Sequence, residues 1–371
     1  MKHTIQHILV EHGTRLIEKM GLPLLYLKVL DKLIACRTAA LGGHAQYCEN
    51  GHLNGVWYNS CKHRACPQCR AVPTEEWLTN TKAILLDCPH HHIIFTLPSA
   101  LNDLWRYNQS IMTDILFKAA QQTLQQFAQD PRYLNATQGI LSALHTWGRD
   151  LSLHPHIHAL VSHGGINAAG EWVVPKKADL FPQKPVMQVY RGKLLSFIKT
   201  AMNEKNWQYP PNVRASQVTN KLNQLGRQDW VVHFCQRYDY AEGVATYLSR
   251  YVKSGPLKNP QIKSVSDQHV TFTYRSHQTK KTERLTLSVE AFIRRLLQHT
   301  PLPGKPTVRY CGLYNSAARK KLNQARLALG QTPVSGRQVL QWQAFLEDKG
   351  HLSVCAICGL PLTKRVDMAP V

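Results

Sequence analysis

The chain has 371 residues, 43% of them hydrophobic, enough for a sizeable core and for two or three domains. Its 45 Lys and Arg against 23 Asp and Glu give a formal charge of +22 and a pI near 9.7, a positive field that favours polyanions, nucleic acid first among them. No secretory signal and no window near the roughly 20 apolar residues of a membrane span is found, so a soluble cytoplasmic protein is expected; of ten cysteines, Cys88, Cys235 and Cys311 read as ordinary buried residues and the rest cluster with metal-ligand spacing rather than as a disulfide framework.

Residues 1–35 read as helical. Residues 36–70 hold five cysteines and little periodicity, so metal ligands are expected to replace a core there. Cys66-Pro-Gln-Cys69 has the spacing of a zinc knuckle, and Cys48 with His52 offers a second half. The set Cys48, His52, Cys66 and Cys69 is expected to bind zinc, with Cys61 a competing ligand and Cys36 an outside candidate. Cys355 and Cys358 could form another knuckle, but one pair cannot complete a tetrahedral site. Residues 92–97 read as a strand ending at Pro98, and 101–129 as one or two helices. Residues 139–146 and 153–161 read as a hairpin, 170–190 as a Pro- and Lys-rich loop, 229–235 as a strand and 239–253 as a helix. Beyond about residue 285 the chain reads as helical and very basic, with Arg294, Arg295 and Arg309 among candidate phosphate contacts and Tyr310 and Tyr314 interleaved.

The segment Leu153-His154-Pro155-His156-Ile157-His158 carries the sharpest chemistry. Alternate residues of a strand share a face, so His156 and His158 point the same way, Cα atoms about 6–7 Å apart, with Ile157 on the core side. Two imidazoles so placed suit one transition-metal ion, and Mn²⁺ or Mg²⁺ can share such a site with phosphate oxygens. A hairpin turn centred near Asp150 sets His145 opposite His156, which makes it the preferred third ligand; Asp150 and His154 are the alternatives.

Asp239 and Glu242 have capping-box spacing and open a helix on which Tyr247 and Tyr251 are four apart, on one face, about 5–6 Å between Cβ atoms. A phenol of pKa near 10 is a poor nucleophile at neutral pH unless a cation stabilises its phenolate. Arg250, between the two tyrosines, and Lys253, just beyond them, are candidate DNA contacts.

These segments, in this order, resemble the transposases of the insertion-sequence 91 family, which belong to the HUH (His-hydrophobic-His) endonucleases. Cys36-Arg-Thr-Ala-Ala-Leu-Gly-Gly-His44, Ser60-Cys61, Arg64 and Cys66-Pro-Gln-Cys69 resemble the family's zinc-binding segment, and His92-Ile-Ile-Phe-Thr-Leu-Pro98 its first catalytic strand. His145-Thr-Trp-Gly148 with His154-Pro-His-Ile-His158 resembles the metal motif, Tyr247-Leu-Ser-Arg-Tyr251 the nucleophile motif, and Phe292 to His299 with Arg309-Tyr-Cys-Gly312 the C-terminal signature. Where the family often has Cys-x-x-Cys-Gly this chain has Cys48-Glu-Asn-Gly51, which favours His52 as a ligand.

The resemblance implies an α+β fold: an antiparallel sheet flanked by helices over residues 86–300, a helical zinc-binding module over 1–85 that contacts DNA, and a basic region over 301–371. It implies rolling-circle movement of a DNA element, Tyr247 and Tyr251 as nucleophiles forming a 5′-phosphotyrosine, His156 and His158 as ligands of Mg²⁺ or Mn²⁺, and Zn²⁺ as a structural ion. The partner implied is single-stranded DNA at hairpin-bearing element ends, met in the bacterial cytoplasm at the nucleoid. A replication initiator or relaxase of the same chemistry, and a non-catalytic zinc-containing DNA-binding protein, are the alternatives.

Overall fold

The computed structural model describes residues 4–21, 23–69, 71–176, 179–235, 237–239, 243, 255–276, 278–334, 336 and 354–371. Thr4 accepts the His7 N–H and so opens α1 (Ile5–Met20), which Gly21 closes in the left-handed conformation. There follow α2 (Leu24–Ala35), the hairpin of β1 (Gly43–Tyr47) and β2 (Leu53–Tyr58), α3 (Ala71–Ile84), β3 (His90–Thr96), α4 (Asn102–Tyr107) and α5 (Gln109–Gln129). Next come β4 (Thr137–Trp147), β5 (Leu153–Ile166), β6 (Trp172–Val173), α6 (Gln183–Ala201), α7 (Ala215–Leu225) and β7 (Val232–Phe234). The chain continues through β8 (Ile262–Val265), β9 (His269–Arg275), β10 (Thr282–Ser288), α8 (Val289–Leu297), β11 (Val308–Gly312), α9 (Arg319–Ala328) and β12 (Lys364–Met368). Among the described residues, no helix is long and apolar enough to cross a membrane.

The central sheet is antiparallel, in the order β11-β4-β5-β3-β7, with β6 beside the far end of β5. Alternation divides its residues between two cores. On one face Ile93, Phe95, Ile140, Leu144, Ile157, Ala159 and Val161 meet the buried stripe of α5, Met112, Leu116, Ala120, Leu124 and Phe127, together with α6. On the other, Leu141, Ala143 and Leu160 lie under Leu85, Leu86, Leu313, Tyr314, Leu322 and Ala325. Here Tyr314 donates to His90 Nε2 at 2.6 Å while His90 Nδ1–H donates to the Cys88 carbonyl at 2.8 Å. Burial holds His90 down to about 4, so it is neutral in this network. Gly139 makes room for the tyrosine, since a Cβ there would lie 2.5 Å from Tyr314 Cζ.

Two sequence expectations are corrected. The stretch 170–190 is not all loop: Pro182 precedes α6, whose Val186, Met187, Tyr190, Leu194 and Ile198 keep helical spacing behind a proline tolerated in the first turn. The region beyond 285 is not simply helical. β11 is an edge strand of the central sheet, hydrogen-bonded to β4, so the sheet continues past residue 300. A second three-stranded sheet, β10-β9-β8, packs with α1, α2 and α8 around Val29, Leu30, Phe272, Phe292 and Ile293. A third, β12-β1-β2, joins the last described strand to the N-terminal hairpin.

Candidate functional site

The turn after β4 is built by Asp150, whose Oδ1 accepts the N–H and hydroxyl of Ser152 at 3.1 and 2.6 Å, with Leu151 at φ 62°. That turn fixes the register in which His145 faces His156 and Ala143 faces His158. One nitrogen from each of His145, His156 and His158 therefore lies within 4.8 Å of the others, and all three side chains are buried. Asp150 is spent on the turn, and His154 is exposed with its ring centroid 5.1 Å from that of His156; neither belongs to the group.

Hydrogen bonds around the group orient it. His156 Nδ1–H donates to the His154 carbonyl at 2.6 Å, which leaves Nε2 as the ring's lone-pair nitrogen. His158 Nδ1 lies 2.8 Å from His92 Nε2 on the neighbouring strand β3. With His158 as donor in that pair, its Nε2 also becomes a lone-pair nitrogen. Burial, then the neighbouring His145, His156 and His92, hold His158 well below the ordinary histidine value; burial, then His233, brings His92 down to about 4. Both are neutral at pH 7, the form a metal needs. Trp147 stacks on His145 at 4.7 Å between centroids, and His299 meets Trp147 edge-on at 6.0 Å.

His92, which the sequence places only in a strand, is brought against the candidate site by the register of β3 against β5, which no local spacing encodes. Exchange of His92 for phenylalanine, which keeps the bulk but not the acceptor, is expected to weaken Mn²⁺ binding about 10- to 100-fold, with partial rescue by His92→Gln. Mn²⁺ titration followed by electron paramagnetic resonance measures this, and wild-type affinity in the phenylalanine variant would remove His92 from the site.

The expected zinc set is corrected: the fold separates Cys48 and His52 from Cys66 and Cys69. Cys66 and Cys69 gather instead with Cys36 and Cys61, and Cys48 and His52 with Cys355 and Cys358; in each group the ligand atoms lie within 4.8 Å of one another. The separation follows from the β1–β2 hairpin, which carries 48–52 at its tip while Cys36 and Cys61 lie beyond its two open ends. In the first group Cys36 Sγ–Cys66 Sγ is 3.4 Å and Cys61 Sγ–Cys69 Sγ 3.7 Å. Zn–S bonds of ~2.3 Å set tetrahedral S–S edges of about 3.8 Å, so these spacings fit a zinc tetrathiolate. Burial raises the Cys61 thiol to about 12; at Cys36 the effect of burial is outweighed by the Cys61 N–H and the neighbouring thiols, and its value falls. Four sulfurs this close need a cation before they can all ionise.

A cleft runs between this zinc group and the central sheet. It is lined by Lys62, His63, Trp147, Gly255, His299 and Thr307. Arg64 spans it, donating to the carbonyls of Leu302 and Lys305. Of the candidate DNA contacts, Arg309 pairs with Asp114 and sits over the Phe117 ring, Arg294 pairs with Glu290 at 3.1 Å, and Arg295 donates to the Asp150 carbonyl. Arg250, Lys253, Tyr247 and Tyr251 lie outside the described residues.

Comparison with known proteins gives two family matches: "Transposase zinc-binding domain" over residues 8–97, and "Putative transposase" over residues 139–321. The chain is 32% identical over 312 residues to the protein named "Putative transposase y4qJ" of Sinorhizobium fredii, covering 82% of this chain and 78% of that one. It is 31% identical over 374 residues to the transposase for insertion sequence element IS801 of Pseudomonas savastanoi pv. phaseolicola, covering 95% and 84%. Among solved structures, the conjugative relaxase TrwC in complex with oriT DNA, in a metal-free structure, overlaps 43% of this chain and 72% of its own at 12% identity, with a TM-score of 0.25.

Proposed function

The chain belongs to the insertion-sequence 91 family of transposases, and from that premise we propose that it cuts and rejoins single-stranded DNA through a tyrosine nucleophile beside a divalent cation held by His145, His156 and His158. The observation that carries this reading is the convergence of three buried imidazoles on one face of the central sheet. Neutral imidazoles suit Mn²⁺ or another transition ion, and Mg²⁺ less well, unless phosphate oxygens complete the sphere. An ion so bound would polarise the scissile phosphate and favour a phenolate nearby.

In the proposed reaction the phenolate oxygen of Tyr247 or Tyr251 attacks phosphorus. The P–O3′ bond breaks, the 3′ oxygen takes a proton, and a 5′-phosphotyrosine forms. A 3′-hydroxyl then attacks the same phosphorus, its proton is released, and the tyrosine leaves, so no bond is lost to hydrolysis. The second tyrosine permits a second strand to be captured before the first is resolved. His92 and Trp147 hold His158 and His145 in orientation. Lys62 and His63 line the cleft with cationic or polar groups suited to phosphate. On this reading the DNA is the hairpin-bearing end of the element, and the protein acts in the cytoplasm at the nucleoid.

The test mixes purified chain with labelled single strands from the ends of its element and Mn²⁺ or Mg²⁺, and resolves products on a denaturing gel. A protein–DNA band lost in the Tyr247→Phe/Tyr251→Phe double variant is expected, and the single variants identify which tyrosine attacks first. DNA binding with neither covalent band nor cleavage, against an active relaxase control, would replace this reading with that of a non-catalytic DNA-binding protein.

A further inference from the structure

The second cysteine group joins residues that are 303 positions apart, and half of it lies outside the residues matched to either family, 8–97 and 139–321. Cys48 Sγ is 3.5 Å from His52 Nδ1 and 3.6 Å from Cys358 Sγ, and Cys355 Sγ is 3.9 Å from His52 Nδ1. A disulfide needs sulfurs about 2.05 Å apart, so these are not crosslinked thiols. Bonds of ~2.3 Å to sulfur and ~2.0 Å to nitrogen place tetrahedral neighbours about 3.6–3.8 Å apart, which is the spacing found. Each half has the form of a knuckle. Gly51 at φ 76° and Gly359 at φ 73° turn the chain tightly, with Gly51 N–H on the Cys48 carbonyl and Gly359 N–H on the Cys355 carbonyl. The Ile357 N–H points at Cys355 Sγ at 3.4 Å, as amides do toward a metal-bound thiolate.

We propose that Cys48, His52, Cys355 and Cys358 bind a second zinc ion, and that this ion clasps the C-terminal segment 354–371 to the N-terminal module. Among the described residues, apolar packing holds the segment only weakly. Lys364, Arg365, Val366 and Asp367 of β12 are all exposed, so its ladder with β1 exchanges water hydrogen bonds for protein ones with little apolar burial. The receiving surface is shaped for it: a Cβ on Gly42 would lie 2.5 Å from the Met368 carbonyl oxygen, and Val371 N–H reaches the Ala39 carbonyl at 3.2 Å. The clasp requires no reaction at the histidine group and stands whether or not the chain transfers strands.

Zinc content of the full chain, desalted without chelator, is compared by inductively coupled plasma mass spectrometry between wild type and Cys355→Ser/Cys358→Ser. One equivalent fewer is expected in the variant, while Cys36→Ser/Cys66→Ser loses a separate equivalent. Hydrogen exchange of amides 364–368 is expected to speed up about tenfold or more when the ion is removed. Should the variant fail to fold, the wild type decides alone: Cys48, Cys355 and Cys358 resist alkylation when zinc-loaded and become reactive together on titration with chelator. An unchanged zinc content in a folded variant, alkylation of Cys355 and Cys358 at equal rates with and without zinc, or zinc-independent exchange of 364–368 overturns the proposal.

Discussion

Replacing His158 by alanine is expected to slow formation of the covalent protein–DNA species about a thousandfold, ~4 kcal/mol of transition-state stabilisation, while single-strand affinity changes only a few-fold. The asymmetry follows from position. His158 is buried at the centre of the sheet and is not among the residues lining the cleft, so on the proposed reading its loss removes a metal ligand and leaves the cleft lining unchanged. His156→Ala and His145→Ala should behave alike, because the three nitrogens form one group. His154→Ala is the internal control: its exposed ring lies beside the group but outside it, and its activity should stay within about threefold of wild type. Single-turnover gels with saturating Mn²⁺, alongside melting temperatures to separate misfolding from chemistry, decide the matter. If His154→Ala proves as damaging as His145→Ala, the third ligand has been misassigned; if His158→Ala keeps wild-type rates, the site is not metal-dependent.

What the sequence disclosed about this site tracks the distance over which its physics acts. The facing of His156 and His158 follows from strand alternation alone, and the opposition of His145 to His156 from a turn five residues away. His92 reaches His158 from a strand 66 residues distant, and only the order β4-β5-β3 brings them together. The cysteines teach the same lesson more severely. Local spacing pairs Cys66 with Cys69 and Cys48 with His52, but it cannot say which pairs share an ion. That is set by where the β1–β2 hairpin points and by the return of β12 to its edge. β11 escaped notice because five residues on a sheet edge, half-buried throughout, carry too little alternation to stand out in a basic stretch.

The remaining large effect concerns the zinc group of Cys36, Cys61, Cys66 and Cys69. Cys66→Ala is expected to destabilise the core shared by α1, α2, α8 and the β8–β10 sheet by several kcal/mol, since structural zinc in small modules contributes about 10–16 kcal/mol of apparent binding free energy and part of this is recovered here from packing. The packing is not negligible: Cys36, Cys66 and Cys69 belong to the same core as Ile5, Leu9, Leu30, Phe272 and Phe292. Loss of the ion should therefore loosen α1, α2 and the β8–β10 sheet together, leaving the core between the central sheet and α5 and α6 intact. Hydrogen exchange should report two tiers, fast over α1, α2 and β8–β10 and slow over β4 and β5. Function should divide the same way. Lys62 and His63 line the cleft together with Trp147 and His299, so on the proposed reading the variant should bind single strands about tenfold or more weakly, with a shallower salt dependence, because the cationic residues nearest the zinc group would be displaced. On the proposed reading, its Mn²⁺ affinity at the histidine group should stay near wild type, since strands β4 and β5 are anchored by Ile140, Leu144, Ile157 and Ala159 in the other core. Equal loosening of both cores would show that the zinc group supports the whole molecule; unchanged exchange and unchanged DNA affinity would show that these four cysteines pack without a metal.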